Sequence, residues 1–257
     1  MTYLRRFEPL FGADWFAIGP LLVLAPHPDD EVLSCGGLIA AHRERGLPVT
    51  VVVMTDGALG DHARSADPAY RDLRRDETRE ALEVLGGSDL KFLDIRDGSL
   101  ASRDDAAGMV RDAIAAAKPE TIVFPSPLEV HPDHRATALH AARALSSGLP
   151  HPRRILACEI GAFMPSNVLL DITPYWPRKE RAIACYRSQS ILHDLAGKVR
   201  ALNRARTVNV DDRTIEYVEA YAVIERASLP AYMERAEQLV SLVDGMGPPI
   251  PGRPTSG

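Results

Sequence analysis

The sequence predicts an α/β fold with a mostly parallel sheet, and three observations predict it. Continuous apolar runs at residues 21–24, 49–54 and 121–124 read as strands buried on both faces. Segments with a helical apolar period lie between them, as in successive βαβ units. Proline, glycine or a polar cluster closes each run.

The elements follow in chain order. Leu21-Leu22-Val23-Leu24 is the first strand and ends at Pro26 and Pro28. Asp29, Asp30 and Glu31 then open a helix reaching about Arg45, because acidic residues suit a helix N-terminus. Residues 49–54 are a second strand, and 55–68 a polar loop with Gly57, Gly60, Asp61, His62 and Pro68. A helix over 69–85 is closed by Gly86-Gly87. Lys91-Phe92-Leu93 is a short strand, 104–117 a helix and 121–124 a strand. After Pro125 and Pro127, His131-Pro132-Asp133-His134 opens a helix to about Leu145. Residues 155–160, 167–172 and 216–224 read as strands, and 174–192 as helical. A last helix runs from about Pro230 to Val243, capped by Ser228, with Met233, Ala236, Val240 and Val243 on one face. The sum is one three-layer, Rossmann-like domain over 1–246, with a C-terminal strand and helix portion added. The tail, 247–257, is expected to be disordered.

Composition narrows the function. The chain has 257 residues, 46% hydrophobic and 25% charged, which is ordinary globular usage. A net charge of -5 disfavours a nucleic-acid partner, which needs a basic excess to track phosphates. Cys35, Cys158 and Cys185 are few and far apart in sequence, so a disulfide framework is not expected. The apolar stretch from Trp15 to Ala25 is too short to span a bilayer, and Glu8 and Asp14 sit badly in a signal peptide. A soluble, cytoplasmic protein with no membrane partner is expected.

Two motifs carry chemistry. Ala25-Pro26-His27-Pro28-Asp29-Asp30-Glu31 follows the first strand, where open α/β sheets place their ligands. His27 and Asp30 offer one nitrogen and one oxygen suited to zinc, with Asp29 a carboxylate beside the metal. His131-Pro132-Asp133-His134 follows another strand, and its two histidines, three apart, share a helical face. Three protein ligands and an open position are what a catalytic zinc requires. Taken alone, the acids would merely cap a helix; the pairing of two proline-flanked His/Asp clusters at strand ends favours a shared site. His42, His62, His140, His151 and His193 read as non-functional, with His62 and His193 the stronger exceptions because they lie in polar stretches.

These motifs, with Gly36-Gly37 after the first, resemble the PIG-L/LmbE family of zinc-dependent deacetylases. Weaker stretches agree: Arg74-Arg75-Asp76-Glu77, Asp97-Gly98, Lys179, Tyr186-Arg187-Ser188-Gln189 and Glu219-Ala220-Tyr221. The resemblance implies hydrolysis of an N-acetyl group on an N-acetylglucosamine-type sugar or glycoconjugate, with a metal-held water attacking the amide. It implies His27, Asp30 and His134 as metal ligands and Asp29 as general base. His131 would stabilise or protonate the intermediate, and Asp133 would orient His131 and favour its imidazolium. Arg74, Asp97 and Tyr186 are the implied or candidate substrate contacts. Zinc is the expected metal, although Fe2+ or Co2+ also suits two histidines and a carboxylate. Family members also process antibiotic or thiol-cofactor conjugates, so another amide is the main alternative. A non-haem Fe(II) oxygenase would use His27, Asp29 and a distant histidine, but the alternating strands and helices oppose it. A nucleotide-binding module would need a glycine-rich turn where this chain has an acidic one.

Overall fold

A computed structural model describes residues 9–148 and 152–246, so the tail expected over 247–257 lies outside the described residues. The strands are β1 (Leu10–Phe11), β2 (Leu21–Ala25), β3 (Val49–Thr55), β4 (Asp89–Ile95), β5 (Thr121–Pro125), β6 (Arg154–Cys158), β7 (Val168–Asp171) and β8 (Val218–Ile224). The helices are α1 (Ala13–Phe16), α2 (Asp30–Glu44), α3 (Pro68–Leu85), α4 (Ala106–Ala117), α5 (Pro132–Leu145), α6 (Trp176–Ile183), α7 (Arg187–Ser190), α8 (Leu195–Ala205) and α9 (Leu229–Met246). The eight strands form one sheet in the order β1-β7-β8-β6-β5-β2-β3-β4. Only β8 runs antiparallel, against β6 and β7.

Strand alternation builds the three layers. In β2, Leu21, Val23 and Ala25 join the core beneath α2, α3 and α6, while Leu22 and Leu24 join the core beneath α4 and α5. Val51 and Val53 of β3 face the first core, and Val52 and Met54 the second. Both faces are covered, which is why these strands read as unbroken apolar runs. The edge strand β4 instead alternates partly exposed and buried residues and carries Lys91 and Asp94, charges that discourage edge pairing.

The chain leaves β2 for β3 and β4 on one side, then returns to lay β5 and β6 on the other. The strand order therefore reverses between β2 and β5, and their carboxyl ends open a crevice. Gly36 and Gly37 let α2 pack closely: a Cβ on Gly37 would lie 2.3 Å from Ile172 Cγ2, and one on Gly36 2.8 Å from Lys179 Cγ.

The C-terminal third departs from expectation in three places. The helix expected over 174–192 is two, because Tyr186 leaves helical geometry at φ -80°, ψ 62° with its ring buried. A further helix, α8, follows, its first turn capped by Asp194 accepting from the Gly197 amide at 2.9 Å. β6 stops at Cys158, short of residue 160, because the Ile160 amide turns to donate to Glu129 at 2.8 Å. Among the described residues, no helix is long and apolar enough to cross a membrane.

Candidate active site

The end of β2 turns through Pro26-His27-Pro28 into Asp29, whose backbone sits at φ 122°, ψ -33°. A non-glycine residue holds such a conformation at a cost of about 1–3 kcal/mol, and such strain clusters at functional sites. Asp29 occupies the cap position of α2, yet its side chain makes no capping bond. Its Oδ2 instead accepts from Arg74 Nη2 at 3.0 Å. Asp30 turns back to accept from the His27 amide at 2.9 Å. Simple helix capping therefore does not account for these two acids.

Asp30 Oδ2 is the meeting point of the two motifs. It lies 3.0 Å from His27 Nδ1 and 3.3 Å from His134 Nε2. Ligand atoms around a tetrahedral ion with bonds near 2.0–2.1 Å are about 3.3 Å apart, so the spacing suits a shared cation. Donor atoms of His27, His131 and His134 also lie within 4.8 Å of one another, as do those of His27, Asp97 and Asp133. His27 Nε2 is buried and makes no hydrogen bond of good geometry, although Asp97 Oδ1 is 3.2 Å away and Asp133 Oδ2 3.4 Å. An imidazole so placed among carboxylates fits a metal site, and one carboxylate on its far nitrogen is the usual support of a ligating histidine.

Charge follows from burial and neighbours. Burial alone would lower His27, but Asp133, Asp30 and Asp97 together raise it well above its ordinary value. His134 is likewise opposed by burial yet raised to about 9 by Asp30 and Glu129. Burial would raise Asp30, but His134 and His27 hold it well below the carboxylate range. Asp29 differs: burial pushes it up to about 7, against the pull of the Arg74 guanidinium. A carboxylate poised near neutrality is the profile of a general base.

His131 caps α5, its Nδ1 accepting from the Asp133 amide at 3.2 Å. Burial and the neighbouring His27 and His134 lower its pKa. The Asp133 charge works against that lowering. That carboxylate accepts from the Gly98 and Leu100 amides at 2.7 and 3.2 Å and faces His27. The physical reason is its place in the first turn of α5, which aims it across at the loop after β4. With Nδ1 accepting from that amide, the ring N–H lies on Nε2.

A cavity of about 280 Å³ opens beside these groups, lined by His27, Asp29, Arg74, Asp97, His131 and Gln189 among others. Asp97 reaches it while accepting from the Leu59 amide at 2.9 Å. Arg74 also reaches it, but its terminal nitrogens donate to Gly57 and Pro28 carbonyls as well as to Asp29. Tyr186 does not line it: the side chain is fully buried and its hydroxyl donates to Glu31, itself pushed up to about 8 by burial. His62 lines the cavity, whereas His193 is exposed and does not.

Sequence reading overlooked Glu129 and Gln189. Glu129 lies 3.4 Å from His134 Nδ1 and also accepts from the Ile160 and Gly161 amides. An acid two residues before His131 was the available signal. Gln189 donates to the Tyr70 hydroxyl at 2.6 Å and borders the cavity; only its place in the Tyr-x-Ser-Gln stretch hinted at it.

Fold and site thus define an α/β protein with a candidate histidine–carboxylate metal centre at its topological switch point. Residues 22–145 match the family model described as "PIG-L: GlcNAc-PI de-N-acetylase". A relative from Bacillus subtilis (strain 168), named "Probable N-acetyl-alpha-D-glucosaminyl L-malate deacetylase 2", is 32% identical over 70% of this chain and 88% of its own. A "4-oxalmesaconate hydratase" from Pseudomonas putida is 29% identical over 77% of this chain and 86% of its own. The solved N,N'-diacetylchitobiose deacetylase from Pyrococcus horikoshii shares the fold, with a TM-score of 0.72 over 81% of this chain and 85% of that one, at 24% identity. The chain belongs to the PIG-L/LmbE family of deacetylases.

Proposed function

We propose that the protein is a metal-dependent N-deacetylase acting on an N-acetylglucosamine-type sugar or sugar conjugate. The observation that carries this is the meeting of His27 and His134 on one Asp30 oxygen, with Asp29 held beside them near neutral pKa. His27, Asp30 and His134 would hold the cation, zinc by donor type, with Fe2+ or Co2+ also compatible. When bound, the cation would acidify a water and polarise the acetyl carbonyl. Asp29 takes the water's proton, and Arg74 keeps its carboxylate aimed at the cavity. His131 offers its Nε2–H to the oxyanion developing on that carbonyl, a contribution that matters most where water is excluded. The protonated Asp29 then returns its proton to the departing amine. Asp97 and the cavity wall bind the sugar. Asp133 and Glu129 steady the two ligating histidines.

The test is acetate release from a panel of N-acetylated sugars and conjugates, with and without a chelator. Chelator-sensitive release is expected; none from any substrate would overturn the reading. The hydratase relative supports a second reading, addition of water to a conjugated acid at the same centre. Assaying 4-oxalmesaconate with the same preparation separates the two.

A further inference from the structure

Both peptides that flank Asp29 are fixed, and buried groups fix them. The Asp29 carbonyl accepts from the Val32 and Leu33 amides, each at 3.0 Å, so the peptide after it belongs to α2. The peptide before it is gripped at both ends. Its Pro28 carbonyl accepts from Arg74 Nη2, and its Asp29 amide donates to Glu31 Oε2 at 3.2 Å. With the two planes held, φ at Asp29 is held at 122°. Arg74 is anchored in turn by the Gly57 carbonyl at 2.6 Å. Glu31 is anchored by its other oxygen, Oε1, which bonds the buried Tyr186 hydroxyl. Tyr186 leads into α7, where the Ser188 amide and hydroxyl donate to Glu77 of α3 at 2.9 and 2.6 Å. Elements α2, α3 and α7 thus converge on one peptide. An ordinary capping box also has an acid that reaches back to the cap amide, but from the third helical residue and with a return bond from the cap side chain. Glu31 is the second helical residue, and the Asp29 side chain makes no return bond, because it faces Arg74 and the cavity. Glu31 itself is fully buried and is not among the residues lining that cavity.

We propose that Glu31 is a positioning residue: by holding the Asp29 amide, it keeps the Asp29 carboxylate turned into the cavity and off the first turn of α2. The proposal rests on the deacetylase reading, in which Asp29 takes the water's proton. Without an acceptor for its N–H, the peptide between Pro28 and Asp29 is free to turn. Asp29 then relaxes to the extended backbone usual at a helix cap, and its carboxylate caps the α2 amides. A reacting group misplaced by about 1 Å costs on the order of a hundredfold in rate. Tyr186 acts one step further out, by fixing the second oxygen of Glu31. Arg74 and Glu31 divide the work: one holds the Pro28 carbonyl and the Asp29 carboxylate, the other the Asp29 amide.

Zinc-loaded wild type, Glu31→Met and Glu31→Gln would be compared for acetate release from the panel of N-acetylated sugars and conjugates. Methionine fills the space and accepts no such bond. Its kcat is expected to fall roughly tenfold to a hundredfold, with KM within about twofold and zinc content unchanged. Glutamine still offers an oxygen to the Asp29 amide and an N–H to the Tyr186 oxygen, so its kcat should stay within about threefold of wild type. In an Asp29→Ala background Glu31→Met should cost nothing more, since the two residues act as a unit. An undiminished kcat in Glu31→Met, a loss that adds to that of Asp29→Ala, or glutamine no better than methionine would overturn the proposal while the deacetylase reading stands. If Glu31→Met does not fold, Tyr186→Phe is read through the same cycle; a kcat loss of about threefold or more is expected, and no loss overturns the proposal. If wild type releases no acetate, the deacetylase reading fails. Crystal structures of the folded variants then decide the role of Glu31. Asp29 is expected at negative φ with its carboxylate on the α2 amides, and an unchanged φ counts against the proposal.

Discussion

At the residue scale, Asp29 and His134 stand within one cluster but carry separable roles. Asp29 accepts from Arg74 and faces the cavity, while His134 meets Asp30 and Glu129. Asp29→Ala should keep the cation and lose most activity. His134→Ala should lose the cation itself, as metal analysis after dialysis would show. The protons on His27 and His134 set a pH dependence. With His134 at about 9, a cation must displace a proton at pH 7, so its affinity should rise with pH and level off above about 9. Chelator competition across that range checks the slope. The same shift has a sign for stability without the cation. Because the folded value lies above the unfolded one, His134's contribution is full below pH 6.5 and lost as pH rises through 9.

At the element scale, α2 brings the first motif's carboxylates to the end of β2, and its close seat depends on Gly37. Gly37→Ala would press its Cβ into Ile172. Overpacking of this kind costs about 1–3 kcal/mol, so a thermal melt should show a clearly lower Tm. The elements most legible in the sequence were those with one continuous signal, such as β2, β3 and β5. The helix over 174–192 was misread because apolar spacing continues through a break that only Tyr186's burial against Glu31 explains. α8 mixes small and apolar residues with Lys198, Arg200, Asn203 and Arg204 and buries only Val199 and Asn203, and the sequence reading passed over it.

Across the whole molecule, a buried ion pair fastens the added C-terminal portion to the parallel sheet. Lys179 of α6 donates to Glu219 of β8 at 2.8 Å and to Asn203 of α8 at 3.0 Å. Glu219 in turn accepts from the Gly37 and Leu38 amides of α2 and from the Tyr221 hydroxyl. Lys179→Met leaves that carboxylate buried without its cation and should cost about 3–5 kcal/mol in denaturant unfolding. Adding Glu219→Gln should recover part of the loss, a coupling that a double-mutant cycle would measure. The three cysteines are free and buried, so this polar tie, and no disulfide among them, links these layers.

The sequence by itself determined the α/β class, the strand ends that bear His27 and His131, and the family. Those depend on local pattern: apolar runs, proline punctuation, and histidines and carboxylates at fixed spacing. Only the tertiary structure decided how the groups divide their work. It set Asp133 on His27 and the loop amides rather than on His131, and it buried Tyr186 behind the site. It also brought Glu129 to His134. The reason is physical: spacing along a chain says which side chains share a turn, but the direction of a carboxylate depends on which distant amides and rings the packed layers place before it.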